Sequence, residues 1–268
     1  VRNFDQLRCG PGGAALSERD PASALGLDRA ALDAGREAQR EVLSDLQTRL
    51  AAEAQNSVLL VLQGLDTSGK DTVIRRVFAS VNPLGLRITS FKSPSDLERS
   101  HHYLWRISAA LPRRGEIGIF NRSHYEDLVT ASVLGTIDRP TQQRRIADVI
   151  AFESTLAADG EAVVKVFLHL SKDEQRARLQ ARVDDPTKRW KFNPSDLETR
   201  RKWDTYHEEY DGVLRATSTE VAPWFVVPAD RKWVRDHVVT ELMIDALRSL
   251  DPHYPVPTTW DPATTVVE

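Results

Sequence analysis

Gly64-Leu65-Asp66-Thr67-Ser68-Gly69-Lys70-Asp71 follows without a gap on Ser57-Val58-Leu59-Leu60-Val61-Leu62-Gln63. A short, nearly continuous apolar run that stops at a glycine reads as a strand buried on both faces of a parallel sheet. The eight residues after it carry the spacing G-x-x-x-x-G-K, and the preceding strand is the context that gives that spacing meaning. In such a turn the backbone N–H groups and the start of the next helix converge on one point and bind anions. Gly64, Thr67, Ser68, Gly69 and Lys70 are therefore candidate phosphate-binding residues, with Lys70 a mobile positive charge for the terminal phosphates.

Two residues do not suit a loop that holds anions. The pattern usually continues with Ser or Thr, whose hydroxyl ligates Mg²⁺; here the position is Asp71, and Asp66 is a second carboxylate inside the turn. Carboxylates facing phosphates repel them unless a cation lies between, and Mg²⁺ commonly binds through one or two carboxylates plus phosphates. Asp66 is thus read as a metal-holding and catalytic residue. Asp71 either joins the phosphate and metal site or complements the helix dipole at the first turn.

Outward from this loop the pattern alternates. A long helix is expected over 28–55, with Leu32, Val42, Leu43, Leu46 and Leu50 largely on one face. Helices are expected over 70–80, from Ser95 to Leu111, from Ser123 to Ala158 with a break at Gly135 to Pro140, from Ser171 to Val183, from Pro194 to Ala216 and over 231–249. Ser95 with Glu98 and Ser171 with Glu174 have capping-box spacing. Strands are expected at Ser57 to Gln63, Arg87 to Phe91, Glu116 to Phe120, Ala162 to Leu170 and Trp224 to Val227. Five strands separated by helices imply an α/β fold: a five-stranded parallel sheet with helices on both faces. Residues 1–55 read as an irregular arm plus an accessory helix, 56–250 as one domain, and 251–268, with Pro252, Pro255, Pro257 and Pro262, as an extended tail. Whether the accessory helix packs on its own domain or on another subunit stays open at this level.

The chain has 268 residues, with Lys+Arg 36 against Asp+Glu 39 and a formal net charge of −3. That balance argues against non-specific coating of nucleic acid. The single cysteine, Cys9, excludes an internal disulfide and a Cys-based zinc site. The longest apolar run, Val58 to Leu62, is far short of a membrane span, and a secretory leader is not seen, so a cytoplasmic protein without membrane attachment is expected.

Two further stretches lie after expected strands, on the edge where such sheets bind ligands. After Phe120 comes Asn121-Arg122-Ser123-His124-Tyr125-Glu126-Asp127. In phosphate-loop folds an Asp often ends a neighbouring strand and holds Mg²⁺. Asn121 stands in that position without charge; Glu126 and Asp127 either supply the missing carboxylate or are acids early in a helix. Arg122 can fork onto phosphate oxygens, and His124 reads as a surface or core histidine rather than a ligand. After Leu170, Arg176, Arg178 and Arg182 share one helix, with Arg178 and Arg182 on one face, and Lys188, Arg189 and Lys191 follow beside Trp190 and Phe192. This run, about residues 176–194, reads as a lid over phosphates, with Arg178, Arg182, Lys188 and Arg189 as phosphate contacts. Arg75, Arg76, Arg106, Arg113 and Arg114 read individually as surface charges.

Taken together, "LQGLDTSGKD", "VNPLG", "YLWR", "LPRRGEIGIFNRSHYEDL", "KVFLHLSKDEQRARLQAR", "DDPTKRWKF" and "TSTEVAPWFVVPAD" resemble the family-2 polyphosphate kinases, in order over about residues 58–230. The resemblance implies a P-loop kinase fold like that of thymidylate kinases. It also implies Mg²⁺-dependent phosphoryl transfer, with Mn²⁺ as a substitute, between inorganic polyphosphate and a nucleotide. By the match, Asp66 and Lys70 take the loop roles and Arg122 and Arg178 the phosphate-binding roles. Asn121, Glu126 and Asp127 fall in a segment that separates subclasses: members acting mainly on nucleoside diphosphates tend to read "DRSWYNR", whereas this chain reads "NRSHYED", similar to the subclass accepting AMP as well as ADP to give ADP and ATP. The family also suggests a homo-oligomer, a dimer or tetramer. The same loop and lid would serve a kinase using a nucleoside triphosphate as donor, or a nucleotide-binding regulator without turnover.

Overall fold

A computed structural model of the chain describes residues 4–10, 13–259 and 264–265. Pro262 of the tail and residues 1–3 and 11–12 of the arm lie outside the described residues. The strands are β1 (Arg8–Cys9), β2 (Ser57–Gln63), β3 (Leu86–Ser90), β4 (Ile117–Asn121), β5 (Glu161–His169) and β6 (Trp224–Pro228). They form one sheet in the order β1-β6-β5-β2-β4-β3. The five longer strands are parallel, whereas β1 runs antiparallel to β6, pairing Arg8 with Phe225 and Cys9 with Trp224.

The sheet therefore has six strands rather than the expected five. The extra one comes from the arm, where two residues are too short a stretch to show any alternation. Its anchor is tertiary: β1 pairs with β6 and Ser218 Oγ donates to the Cys9 carbonyl, while the Arg19 guanidinium ties the arm to itself at the carbonyls of Gln6, Leu7 and Arg8. Cys9 is buried there, and burial raises its thiol pKa.

Helices cover both faces. They are α1 (Arg29–Glu53), α2 (Lys70–Val77), α3 (Asp96–Arg99), α4 (Trp105–Ala110), α5 (Val129–Val133), α6 (Arg139–Ala158), α7 (Lys172–Asp184), α8 (Ser195–Arg201), α9 (Trp203–Thr217) and α10 (Lys232–Leu250). All seven residues of β2 are buried, and its pleat divides them between two cores. Val58, Leu60 and Leu62 pack with α1, α2 and α10 residues such as Leu50, Val73 and Val238. Leu59 and Val61 pack with Ile107, Val149 and Tyr210 on the other face. Each such Leu or Val, fully buried, contributes about 1.5–3 kcal/mol. Leu43, Leu46 and Leu50 of α1 join the first core, so this helix packs on its own domain.

Two expected helices are broken by local chemistry. Between α3 and α4, Ser100 Oγ donates to the Leu97 carbonyl at 2.8 Å and His101 Nδ1 sits 2.8 Å from the same oxygen, competing with the backbone for it. The run from Pro194 divides at Lys202 into α8 and α9. Pro140, read as part of a break, lies in the first turn of α6, where its missing N–H costs nothing, with Asp138 as cap. Among the described residues no helix is long and apolar enough to cross a membrane.

Candidate active site

β2 lies between β4 and β5: the chain leaves β2 toward β3 on one side, and the β4-to-β5 connection then crosses to its other side, so the strand order reverses at β2. The crevice beyond the carboxyl ends of the strands at such a point is where these sheets take ligands. Residues 64–69 fill it, and Lys70 opens α2. Gly64 has φ +142°, and a Cβ there would lie 2.8 Å from the Leu168 carbonyl oxygen. Thr67 also has a positive φ, +67°. Every carbonyl from Gly64 to Ser68 accepts a donor from the protein. Lys70 Nζ donates to Gly64 O at 2.6 Å and to Leu65 O at 3.5 Å. Gln175 Nε2 reaches Asp66 O at 3.3 Å, and Arg178 Nη1 reaches Thr67 O at 3.0 Å and Ser68 O at 3.3 Å. Arg235 Nη1 also reaches Ser68 O, at 3.2 Å. Among the described residues, the Thr67 and Ser68 hydroxyls are buried with no hydrogen-bond partner. The loop thus turns its acceptors onto the protein and keeps two donors unused, as an anion site requires.

The next strand end brings charge to the same spot. Arg122 follows β4 with φ +63°, a conformation costing about 1–3 kcal/mol for a non-glycine residue. Its Nη2 donates to Asp66 Oδ1 at 2.6 Å, and its Nη1 lies 4.0 Å from Glu126 Oε2. Asn121 Nδ2 donates to Asp71 Oδ1 at 2.7 Å. Burial pushes Lys70 down to about 8, Arg122 adding to the effect while Asp66, Glu126 and Asp71 oppose it. For Arg122 burial also favours deprotonation, but Glu126 and Asp66 outweigh it and raise its pKa above the usual arginine value. Two cations are therefore held among three carboxylates where an anion is expected.

Other sequence candidates stand apart from this group. Asp127 Oδ2 accepts from Arg106 Nη2 at 3.3 Å, and burial raises its pKa. Arg106, read as a surface charge, is in fact buried, its other nitrogen on the Lys92 carbonyl. The five N–H groups of Arg178 all meet protein oxygens: those of Glu174, Thr67, Ser68, Ala229 and Asp230. Arg182 bonds Lys191 O and Asp196, Lys188 bonds Asp185, and Arg189 bonds Val183 O, all within the basic segment and the start of α8. His124 is a buried histidine 3.4 Å from Glu153.

Sequence reading passed over Gln175, Arg235 and Asp230. The signal for Arg235 was a cation between Val234 and Val238, on the apolar face of α10. Asp230 gave no signal: Ser171 and Glu174 have capping-box spacing and Ser171 Oγ accepts from Glu174 N, but in the fold Ser171 N donates to Asp230 Oδ1 while Glu174 turns to Arg178.

Comparison with known proteins agrees with this geometry. Residues 27–255 match the family described as polyphosphate kinase 2. The AMP/ADP-polyphosphate phosphotransferase of Meiothermus ruber is 46% identical over 239 residues, 87% of this chain and 90% of that protein. The ADP-polyphosphate phosphotransferase of Rhodopseudomonas palustris is 43% identical, covering 81% of this chain and 79% of its own. The crystal structure of polyphosphate kinase 2 from Arthrobacter aurescens superposes with a TM-score of 0.93 at 41% identity, over 98% of this chain and 96% of that one. With its phosphate loop, its strand order and a family match over most of its length, this chain belongs to the polyphosphate kinase 2 family.

Proposed function

We propose that the protein transfers the terminal phosphoryl group of inorganic polyphosphate to AMP and to ADP, reversibly, yielding ADP and ATP. The observation that carries this reading is the meeting of Lys70, Arg122 and two unused loop hydroxyls at the switch point of the sheet. The substrates follow from similarity to the relative named for AMP and ADP.

An oxygen of the nucleotide phosphate attacks the terminal phosphorus, the bond to the next phosphate breaks, and the polymer leaves one unit shorter. That oxygen is largely ionised near neutral pH, so no base is needed. The difficulty is to bring two polyanions together, and the protein's task is positioning and neutralisation. Lys70 can exchange its loop carbonyls for phosphate oxygens, and Arg122 neutralises charge beside Asp66. The Thr67 and Ser68 hydroxyls donate to the bound anion.

The acidic residues fit a hard divalent cation, since their donors are all oxygens. Among the described residues no three His, Cys, Asp or Glu side chains form a cage on their own, which suits Mg²⁺ held by one or two carboxylates plus substrate phosphates. Asp66 and Glu126, with Asn121 and Asp71 beside them, would hold it, Asp66 exchanging its bond to Arg122 for the metal; Asp127 lies on Arg106, apart from this group. Bound there, Mg²⁺ (or Mn²⁺) would supply charge neutralisation of the transferring group. We read Arg182, Lys188 and Arg189 as lid cations that meet polyphosphate on closure, and the protein as a cytoplasmic dimer or tetramer.

The test is to incubate AMP and ADP separately with polyphosphate and Mg²⁺, without any nucleoside triphosphate. ADP and ATP should form in turn. Product that appears only when a nucleoside triphosphate is added would overturn the donor assignment, and tight nucleotide binding without transfer would overturn the activity.

A further inference from the structure

Three successive peptide carbonyls of the phosphate loop are gripped from two helices. Gln175 and Arg178 of α7 take those of Asp66, Thr67 and Ser68, and Arg235 of α10 takes that of Ser68 a second time. None of these donors is adjustable. Gln175 and Arg235 are fully buried. Arg235 is fixed by Asp236 Oδ1, which accepts from its Nε at 2.9 Å and its Nη2 at 2.6 Å. Arg178 reaches on to Ala229 O at 2.8 Å and Asp230 O at 3.0 Å, tying the loop to the end of β6. Asp230 in turn accepts from Ser171 N at the start of α7. Gly69 completes the fit: at φ +102°, a Cβ there would lie 2.0 Å from Arg235 Nη1.

A peptide unit has its C=O and N–H on opposite sides, so a donor that holds the oxygen also aims the neighbouring N–H groups. With Thr67 in the left-handed region, the loop would otherwise relax toward commoner conformations. We propose that Gln175, Arg178 and Arg235 are positioning residues for phosphoryl transfer. They act through the Asp66–Ser68 peptides, which they hold with the Thr67 and Gly69 amides and Asp66 turned to the substrate, the Ser68 amide being spent on the Leu65 carbonyl, and they do not touch phosphate. For Arg178 this replaces the phosphate contact implied by the family resemblance with a role behind the loop. The inference rests on the proposed reading that this loop holds the transferring phosphates.

The test compares Arg235→Met, Arg235→Lys, Arg178→Met and Gln175→Leu with the full-length wild type. Three quantities are read: thermal midpoint, kcat and KM for ADP with polyphosphate, and calorimetric affinity for inorganic tripolyphosphate without metal. Misplacing a reacting group by about 1 Å can cost on the order of 100-fold in rate. Arg235→Met and Arg178→Met should therefore lower kcat by about 30–100-fold, more than they raise KM, and weaken tripolyphosphate binding about 10-fold or more. Arg235→Lys keeps the charge but lacks the fork; it should recover affinity more fully than kcat. A fall in thermal midpoint with kcat and affinity unchanged would overturn the proposal. So would an Arg178→Met variant whose loss lies in the KM for polyphosphate with kcat intact, the signature of direct contact. Where an arginine variant does not fold, Gln175→Leu, which removes one bond, decides: about a 5–10-fold lower kcat supports the clamp and an unchanged kcat overturns it. The affinity arm does not depend on the phosphoryl donor. A wild type inactive with polyphosphate would sink the proposed function and leave this test standing.

Discussion

Two buried lysines in this protein do opposite work. Lys165, on β5, is completely buried and fully committed: Nζ lies 2.5 Å from Glu153 Oε2, 2.9 Å from the Tyr125 hydroxyl and 2.7 Å from the Thr217 carbonyl. Tyr125 closes the network by donating to Glu153 Oε1 at 2.8 Å. Burial favours protonation of Glu153, but Lys165 and His124 outweigh it and hold the carboxyl below its usual range. Lys70, 8% exposed, has no carboxylate within its hydrogen bonds and rests on the carbonyls of Gly64 and Leu65. Its charged neighbours are a second cation, Arg122, and the carboxylates of Asp66, Glu126 and Asp71. A buried lysine with its counter-ion in place is satisfied. One held by neutral carbonyls, with the neighbouring carboxylates shared with another cation, keeps its donors exchangeable for phosphate oxygens, and that is what a phosphate site requires. The two are linked through Tyr125, which sits in the turn carrying Arg122 and Glu126, so the first network supports the strand end that serves the second.

Substitution should separate the two roles. The largest effect is expected for Lys165→Met, which leaves Glu153 buried and unpaired; urea unfolding should show a loss of about 3–5 kcal/mol. Lys165→Met with Glu153→Leu should restore much of it, and a double variant no better than the single one would refute the ion-pair account. Lys70→Ala and Asp66→Asn should instead cut turnover at least ~100-fold, equivalent to about 2.7 kcal/mol, with the unfolding midpoint nearly unchanged. Near-normal turnover in either would remove that residue from the mechanism.

Glu161 sharpens the contrast, being a buried carboxylate with no cation. Ser57 Oγ donates to its Oε2 at 3.0 Å, and among the described residues its Oε1 has no partner. Burial pushes its pKa up to about 7, Asp159 adding to the rise and Ser57 opposing it. Between the ordinary carboxylate value and about 7 the folded chain holds a proton that the unfolded chain has lost. Stability from this group is therefore greatest at acid pH and falls as pH rises through that window, by about 1–3 kcal/mol. Glu161→Gln should match the wild type at pH ~4 and exceed it above pH ~7, measured by denaturant titration. Equal stability at both ends would exclude the effect.

Much of this arrangement was legible in the chain. The β2 run, the loop after it and the alternation of strands and helices were correctly anticipated, and Arg122, Asp66 and Lys70 do meet. The lid arginines and Asp127 were less legible. Arg178 has the spacing of a solvent-facing lid residue, yet its partners Thr67 and Asp230 lie 111 and 52 positions away. Arg106 looked like one surface charge among several, because nothing local reveals that Asp127 lies against it. The arm hid its strand for the same reason, since its pairing partner is more than two hundred residues distant.

The sequence by itself determined the five parallel strands, most of the helices and the phosphate loop. Apolar periodicity, caps and glycine spacing act over a few residues, and their chemistry is complete within that span. Only the tertiary structure decided which charges are satisfied and which are left open. Lys70 and Lys165 are the same side chain, and the difference between an anchor and an anion site lies in whether packing delivers a carboxylate into direct contact from elsewhere in the chain, where each such bond counts for more because water is excluded.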